Sequence, residues 1–478
     1  MTNISNFVAS ILYNTATPMN IIRAPYTARM SYVLALLAAA VYVLRWTVSP
    51  DNYFFADDWM WFFYASKTPI TAWLNVFPNH LYNDRPFGGL FIRALYNLFE
   101  FNHVAYHSVY LVLHLLNVVL AFFIATRLLH SDRAAFCSAI LFGCWGSALN
   151  APTWVASIFD LLCCTLILSA LLAHLSARSS WLVAGLYLLA IRTKEIAIVL
   201  PFLLLADEIV SSLHWPKARI WKTAKALGPM LVVLLAYSLA YLRLSGRETI
   251  PESDPYHFAI GLPSFVSGME YYLHDFLYIP NSGSAAVAVF LCLALLSLAL
   301  RWRTEFLGFA GFVLFLLPVL FLPARRSTLY LYVPSAFFWI GLVALAQRIF
   351  RRAPRLLQIR WERALIAIAV AAIAWQYREI YNPITLSKLH SFAIFRSNIQ
   401  QLRQFMPVPV PKTTLFIIGL PDYMNVFSYG PCFSVRLLYD EWSIDCVIEK
   451  SPEEIRRAFD AHLGPKILLT YKDGRLLK

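Results

Sequence analysis

Apolar positions in this chain run in long unbroken stretches, not in the alternating or one-faced patterns of soluble strands and helices. Many of these stretches approach or reach the roughly 20 helical residues that cross a hydrocarbon core about 30 Å thick. Lipid offers the backbone no hydrogen-bond partner, so a crossing must be a helix or part of a closed barrel. Continuous apolar runs select helices. Spans are expected near 30–48, 104–126, 134–150, 154–173, 180–193, 196–212, 226–245, 284–300, 305–322, 329–347 and 364–380. The pattern changes after about residue 384. Thr414 to Ile418 reads as a buried strand, with Pro421 and Asp422 in its turn. Ser451 and Pro452 open a helix as N-cap and first residue. Lys466 to Thr470 and Arg475 to Leu477 flank Lys472-Asp473-Gly474, a hairpin signal. The expected fold is an all-α polytopic membrane bundle of about eleven helices with a small C-terminal α/β soluble domain. Its parts are an N-terminal segment, 1–29, a membrane domain, 30–383, and an outer domain, 384–478. In the first, Ile4, Phe7, Val8, Ile11 and Leu12 recur at helical spacing and predict a short helix on the membrane surface. The same segment lacks the n-region and cleavage site of a signal peptide.

Composition agrees with the pattern. Hydrophobic residues make up 59% of the 478 and charged residues only 14%, against about 25% charged in a soluble domain. The net charge of +13 does not mark a nucleic-acid binder, because its basic residues sit in short connections between spans, where lipid headgroups are the natural partner. With the N-terminus inside, the inner connections hold 17 Lys and Arg in 76 residues and the outer ones 9 in 113. The positive-inside rule therefore predicts a multi-pass protein with residues 49–102, 246–283 and 384–478 outside the cytoplasm; the expected membrane is the bacterial inner (cell) membrane.

Outer cations are few, and most lie beside unusual motifs. The first outer loop, 49–102, carries Phe54-Phe55-Ala56-Asp57-Asp58-Trp59 among further aromatics. Two adjacent carboxylates in such surroundings should have at least one raised pKa, which suits a general base. The simpler reading is an acidic cap on an interfacial helix. Arg85, in Asp84-Arg85-Pro86, is a planar five-donor cation suited to phosphate, or to a salt bridge with Asp84 or the Asp57/Asp58 pair. Asp160 lies near the outer end of a span, where an ionisable group is a functional candidate or a satisfied intramembrane hydrogen bond. Arg192-Thr193-Lys194-Glu195 interrupts an apolar stretch. It reads either as a solvated hairpin turn or as a phosphate ligand, Lys194, oriented by Glu195. Arg325 and Arg326 stand on the outside against the charge bias, just before Tyr330-Leu331-Tyr332-Val333-Pro334-Ser335, and call for an anionic partner such as a phosphate or a headgroup.

In order and local wording these motifs resemble the membrane glycosyltransferases of the C fold class (GT-C), over roughly residues 30–380. The class includes protein O-mannosyltransferases, the lipid A aminoarabinose transferase and the transmembrane tetratricopeptide-repeat O-mannosyltransferases. The resemblance rests on Asp57-Asp58-Trp59, Arg85-Pro86, Tyr106-His107 leading to His114-Leu115-Leu116-Asn117, Lys194-Glu195 before Pro201, and the arginines running into Tyr332-Val333-Pro334-Ser335. It implies a polyprenyl-phosphate sugar donor and a catalytic base at Asp57 or Asp58. It also places Arg85 near the donor phosphate and Asp160 at a second acidic position used by some relatives; Asp160, Lys194, Glu195, Arg325, Arg326 and Tyr332 are further substrate-binding candidates. No tetratricopeptide repeats follow the last span, so a protein acceptor is not carried over.

The expected activity is sugar transfer to a hydroxyl of a glycan, lipid or protein on the outer face, with inversion. It needs no cofactor, although the paired aspartates could hold a divalent metal. His103 and His107 could share a helix face as a zinc pair, but no third ligand is suitably spaced. The rivals are a lipid-phosphate transporter without chemistry, and a ligase using a lipid-diphosphate donor. Five cysteines, Cys137, Cys144, Cys163, Cys164 and Cys292, fall in spans as packing residues, whereas Cys432 and Cys446 lie outside, where an oxidising compartment would permit a disulfide.

Overall fold

The computed structural model describes residues 26–478 except 48–51, 56, 79–81, 147–150, 212–215, 245–253, 255, 279–282, 351–354, 379–381, 421–426, 428–431 and 449–450. The surface helix expected around Ile4–Leu12 and the turn at Pro421 and Asp422 lie outside the described residues. The helical elements are α1 (Tyr26–Thr47), α2 (Asp57–Lys67), α3 (Pro86–Phe99), α4 (His103–Leu129), α5 (Asp132–Cys144), α6 (Ile158–Leu175), α7 (Ser180–Ile191) and α8 (Leu200–Val210), followed by α9 (Lys217–Leu244), α10 (Leu262–Leu277), α11 (Gly283–Ala299), α12 (Arg303–Leu320), α13 (Tyr332–Phe350), α14 (Arg355–Gln376) and α15 (Asn382–Phe405). Short 3-10 turns and the single turn Ile70–Trp73 connect them.

A helix lies at each of the eleven expected positions, but their lengths differ from the expectation. Among the described residues five helical stretches are long and apolar enough to cross a membrane: His103–Leu129, Val155–Leu175, Lys217–Leu244, Arg303–Leu320 and Thr328–Phe350. Helices α5, α7 and α8 have only 13, 12 and 11 residues, or about 16–20 Å at 1.5 Å per residue, too short to cross alone. The long loop 49–102 is itself largely helical, because α2 and α3 lie within it.

Close packing follows from small residues at contact points. A Cβ on Gly308 of α12 would lie 2.3 Å from the Cα of Gly341 on α13, so the two backbones touch where both lack side chains. Buried Phe290, Phe309, Phe312, Phe337 and Phe338 fill the space around that crossing. On the other flank of α13, the Tyr332 hydroxyl is buried between α4 side chains, 2.8 Å from His114 Nδ1 and 3.1 Å from Asn117 Nδ2. His114 Nε2 lies 3.0 Å from the Gly143 carbonyl, which can only accept, so Nε2 carries the proton and the Tyr332 hydroxyl donates to Nδ1.

The C-terminal unit follows its predicted outline. Strands β1 (Thr414–Ile418), β2 (Asp445–Val447), β3 (Lys466–Lys472) and β4 (Arg475–Leu477) form one sheet in the order β2-β1-β3-β4. β1 is central, fully buried and parallel to β2 and β3, while β3 and β4 form the antiparallel hairpin. Helices α16 (Phe433–Tyr439) and α17 (Pro452–Ala461) complete it, the latter opened by a capping box in which Ser451 and Glu454 bond reciprocally. Cys432 and Cys446 are joined in a disulfide that ties α16 to β2. The unit docks on the first loop: Phe433 stacks on Phe63 of α2 with centroids 4.4 Å apart, and Lys67 reaches Asp440 at 3.4 Å.

Candidate functional site

The sequence candidates are carried by five segments that meet at one end of the bundle. Asp57 and Asp58 occupy the first turn of α2, where the helix dipole favours carboxylates. Their environments differ sharply. Asp58 is 1% exposed, and its two oxygens accept from the backbone N–H of Ala156, at 2.7 Å, and of Phe55, at 3.1 Å. Burial pushes its pKa well above the ordinary carboxylate range; those two donors oppose the shift, and the charge of Asp57 adds to it. Asp57 is half-buried and makes no hydrogen bond or ion pair among the described residues.

Asp58 holds the segment 151–157, which α4 grips from the other side. His107 Nδ1 donates to the Pro152 carbonyl at 3.1 Å, and the Tyr110 hydroxyl to the Val155 carbonyl at 2.7 Å. The Ser157 hydroxyl closes the turn on Ala151 and Trp154. This segment leads directly into α6, whose first turn carries Asp160. This engages only Nδ1 of His107 and leaves Nε2 buried without a partner, and among the described residues no group of three or more His, Cys, Asp or Glu side chains is placed to hold a metal ion.

Asp160 accepts from Lys194 Nζ at 2.6 Å, with both side chains 5% exposed. Glu195, the next residue, accepts two bonds from the Arg85 guanidinium, at 2.6 and 3.0 Å. The Glu195 side chain is half exposed, and although its crowded surroundings oppose ionisation, the charges of Arg85 and Lys194 outweigh that and hold the carboxyl below its usual range. The Arg85 guanidinium also lies 5.4 Å from the centre of the Phe159 ring, and that ring packs 4.3 Å from Trp61 of α2. Gly88 permits this arrangement, because a Cβ there would fall 2.3 Å from Phe159.

The partnerships differ from those the sequence suggested. Arg85 pairs with Glu195 and not with Asp84 or the Asp57/Asp58 pair. Asp84 instead takes both terminal nitrogens of Arg192 at 2.8 Å. Lys194 is not oriented by Glu195; its partner is Asp160. Left-handed backbone at Asn83 and Asp84, with φ of 54° and 46°, turns the chain so that Asp84 and Arg85 can serve different partners. The Arg192–Asp84 pair and the ring of Phe159 had no distinguishing signal in the sequence.

Tyr330 continues the series. Its ring lies 4.9 Å from Lys194 Nζ, and Tyr272 of α10 lies within the electrostatic reach of both Tyr330 and Arg326. Arg326 donates to the Ser267 hydroxyl at 2.6 Å, and its guanidinium stands 5.5 Å from the Tyr271 ring. Arg325 is exposed, with its guanidinium 5.0 Å from the Tyr256 ring. Asp160, Lys194, Glu195 and Arg85 thus form one linked group, the belt, which α2 with Asp57 and Asp58 joins through Trp61 and the Ala156 N–H, and Arg326 through Tyr272 and Tyr330. Tyr332 does not share its surface, being fully enclosed by His114 and Asn117.

No protein-family model matches this sequence, and no curated protein matches it. Solved structures do match it in shape. The chain is similar to ArnT from Cupriavidus metallidurans bound to undecaprenyl phosphate, with a TM-score of 0.54 and 14% identity over 93% of this chain and 94% of that one. The chain has the GT-C fold. It is also similar to the Archaeoglobus fulgidus oligosaccharyltransferase tethered with an acceptor peptide, at a TM-score of 0.50 and 12% identity, covering 90% of this chain and 64% of that one. In a GT-C frame that spans nearly the whole chain, the belt is built from the first loop, the start of α6, the turn after α7 and the approach to α13.

Proposed function

We propose that this protein is a membrane glycosyltransferase. It moves a sugar from a polyprenyl-phosphate donor to a hydroxyl of a glycan, lipid or protein acceptor on the non-cytoplasmic face. The reading is carried by one observation: Asp57, half-buried and without a hydrogen bond or ion pair among the described residues, opens the helix whose Trp61 packs on Phe159, the ring beside the Arg85 guanidinium. Two fold neighbours support the donor class, one bound to undecaprenyl phosphate and one an oligosaccharyltransferase.

In the reaction the acceptor oxygen attacks the anomeric carbon, and the bond from that carbon to the phosphate oxygen breaks. The electron pair leaves with the phosphate, and the acceptor proton passes to Asp57. Attack in line with departure inverts the anomeric carbon. A hydroxyl is a weak nucleophile and needs the base. Lipid phosphate leaves readily once cations take up its charge, a role for Arg325, Arg326 and the outer face of Arg85. Asp58 positions Asp57 and the 151–157 segment and is not itself the base, because both its oxygens already serve backbone donors. Lys194 and Asp160 form the buried wall behind the donor. The scheme calls for no cofactor.

Turnover of radiolabelled polyprenyl-phosphate sugar by purified protein tests the proposal. Asp57→Asn should lower transfer by about 10²- to 10⁴-fold, the usual worth of a general base, with the melting temperature unchanged. Full turnover in Asp57→Asn would remove Asp57 from the chemistry.

A further inference from the structure

The opposite end of the bundle holds a second concentration of cations that the proposed chemistry does not use. A cavity of about 290 Å³ opens between the C-terminal ends of α4 and α13 and the N-terminus of α12. Its size is at the lower edge of small-ligand pockets, which run from about 300 Å³. Tyr332 and Arg348 are both on α13, so about 24 Å of helix separates this cavity from the belt.

Four guanidiniums line it: Arg127, Arg301, Arg303 and Arg348. Two are neutralised. Arg303 makes a bidentate pair with Asp207 at 2.6 and 2.7 Å, and Arg348 pairs with the buried Glu305. The other two are not. The nearest partner of Arg127 is the Leu175 carbonyl, at 3.5 Å, and the Arg301 side chain has no hydrogen bond or ion pair among the described residues. The first turn of α12, capped by no side chain, adds the positive end of a helix dipole. In the same wall Gln347 Oε1 is buried without a partner. Turning that amide about its last bond would place its NH₂ there as a donor. Surplus positive charge and free donors around a half-open cavity describe a phosphate site.

We infer that this cavity binds a phosphate group, supplied either by an anionic lipid headgroup or by phosphate in solution. The two fixed pairs shape the rim, and Arg127 and Arg301 take the charge. The neutral glutamine amide closes the inner side.

The full-length protein in phosphatidylcholine nanodiscs provides the test. Binding of inorganic phosphate is read by titration calorimetry, and retention of phosphatidylglycerol by native mass spectrometry. Arg127→Gln with Arg301→Gln should weaken whichever ligand binds by at least tenfold. Because Arg301 is exposed, Arg301→Gln alone should fold normally and weaken binding about threefold, while Arg301→Lys should retain most of it. Loss confined to phosphatidylglycerol identifies a headgroup site, and loss confined to phosphate identifies a soluble anion. If wild-type protein binds neither probe, or if both glutamine variants bind as the wild type does, the inference is overturned.

Discussion

Asp57 and Asp58 are adjacent and chemically identical, yet one is half-buried and without a hydrogen bond or ion pair among the described residues, and the other is sealed beneath Ala156. The sequence could place the pair but not rank its members, because the donor that ranks them comes from a segment 98 residues away. The raised pKa of Asp58 has a consequence for stability. Its ordinary value is 3.8, and the folded value lies above that. Between the two the folded state holds the extra proton, so the contribution is complete below pH 3.8 and is lost as pH rises through the folded value. Asp58→Asn carries no such slope. Its melting temperature should therefore gain on the wild type between pH 4 and pH 8, and a constant gap would show that the carboxyl is not shifted. The Lys194–Asp160 pair is the second residue-scale case. Lys194→Met leaves a buried carboxylate alone and should cost about 3–5 kcal/mol, whereas adding Asp160→Leu should recover most of that loss. Denaturant titration in detergent of the single and double variants measures both.

At the scale of elements, hydrophobic runs reported where helices are but not where they stop. Residues 134–150 read as one span, yet α5 ends at Cys144 after 13 residues. An apolar run is equally compatible with a helix that crosses lipid and with a shorter one enclosed by neighbours. Only packing separates the two, and ten of the 13 residues of α5 are buried in protein. The α12–α13 crossing is decided in the same way, by two glycines 33 positions apart that no local pattern connects. Gly308→Val would drive a branched side chain into the α13 backbone. It should lower the melting temperature by several degrees and reduce yield, while Gly185→Val, at a position with open space, should do neither. Comparison of the two by fluorescence-detected chromatography during heating is sufficient.

For the whole molecule, the charge asymmetry predicts that the belt and the C-terminal domain lie on one face and the basic cavity on the other. That orientation predicts a labelling pattern in intact cells. With Cys292→Ser removing the exposed free thiol, a membrane-impermeant maleimide should label Leu463→Cys without permeabilisation, and Arg301→Cys only after it. Leu463 is fully exposed and Arg301 is also exposed, so accessibility depends on the membrane alone. The reverse pattern would invert the assignment of the active face. The stack of Phe433 on Phe63 also couples the outer domain to the helix that carries Asp57. Phe433→Ala should cost about 1 kcal/mol from the lost ring pair, with more from the vacated volume. If the dock positions α2, the variant should also slow transfer, which the radiolabel assay reads directly.

The sequence by itself determined the solvent, the positions of eleven apolar helices and of the capped helix after Ser451, the outline of the terminal sheet and the motifs that end up in the belt. Those properties are local: apolar run length, capping residues, turn chemistry and the sign of charge near each connection act over a few residues. The tertiary structure decided which described helices are short and enclosed by protein, that Asp58 is tethered and Asp57 half-open, and that Lys194 belongs to Asp160 and Arg85 to Glu195. It also enclosed Tyr332 and, among the described residues, left Arg127 and Arg301 without carboxylates. Each of these depends on which distant side chain supplies a hydrogen bond or a charge within about 3 Å, and at that range the interaction is set by geometry between segments, not by sequence spacing.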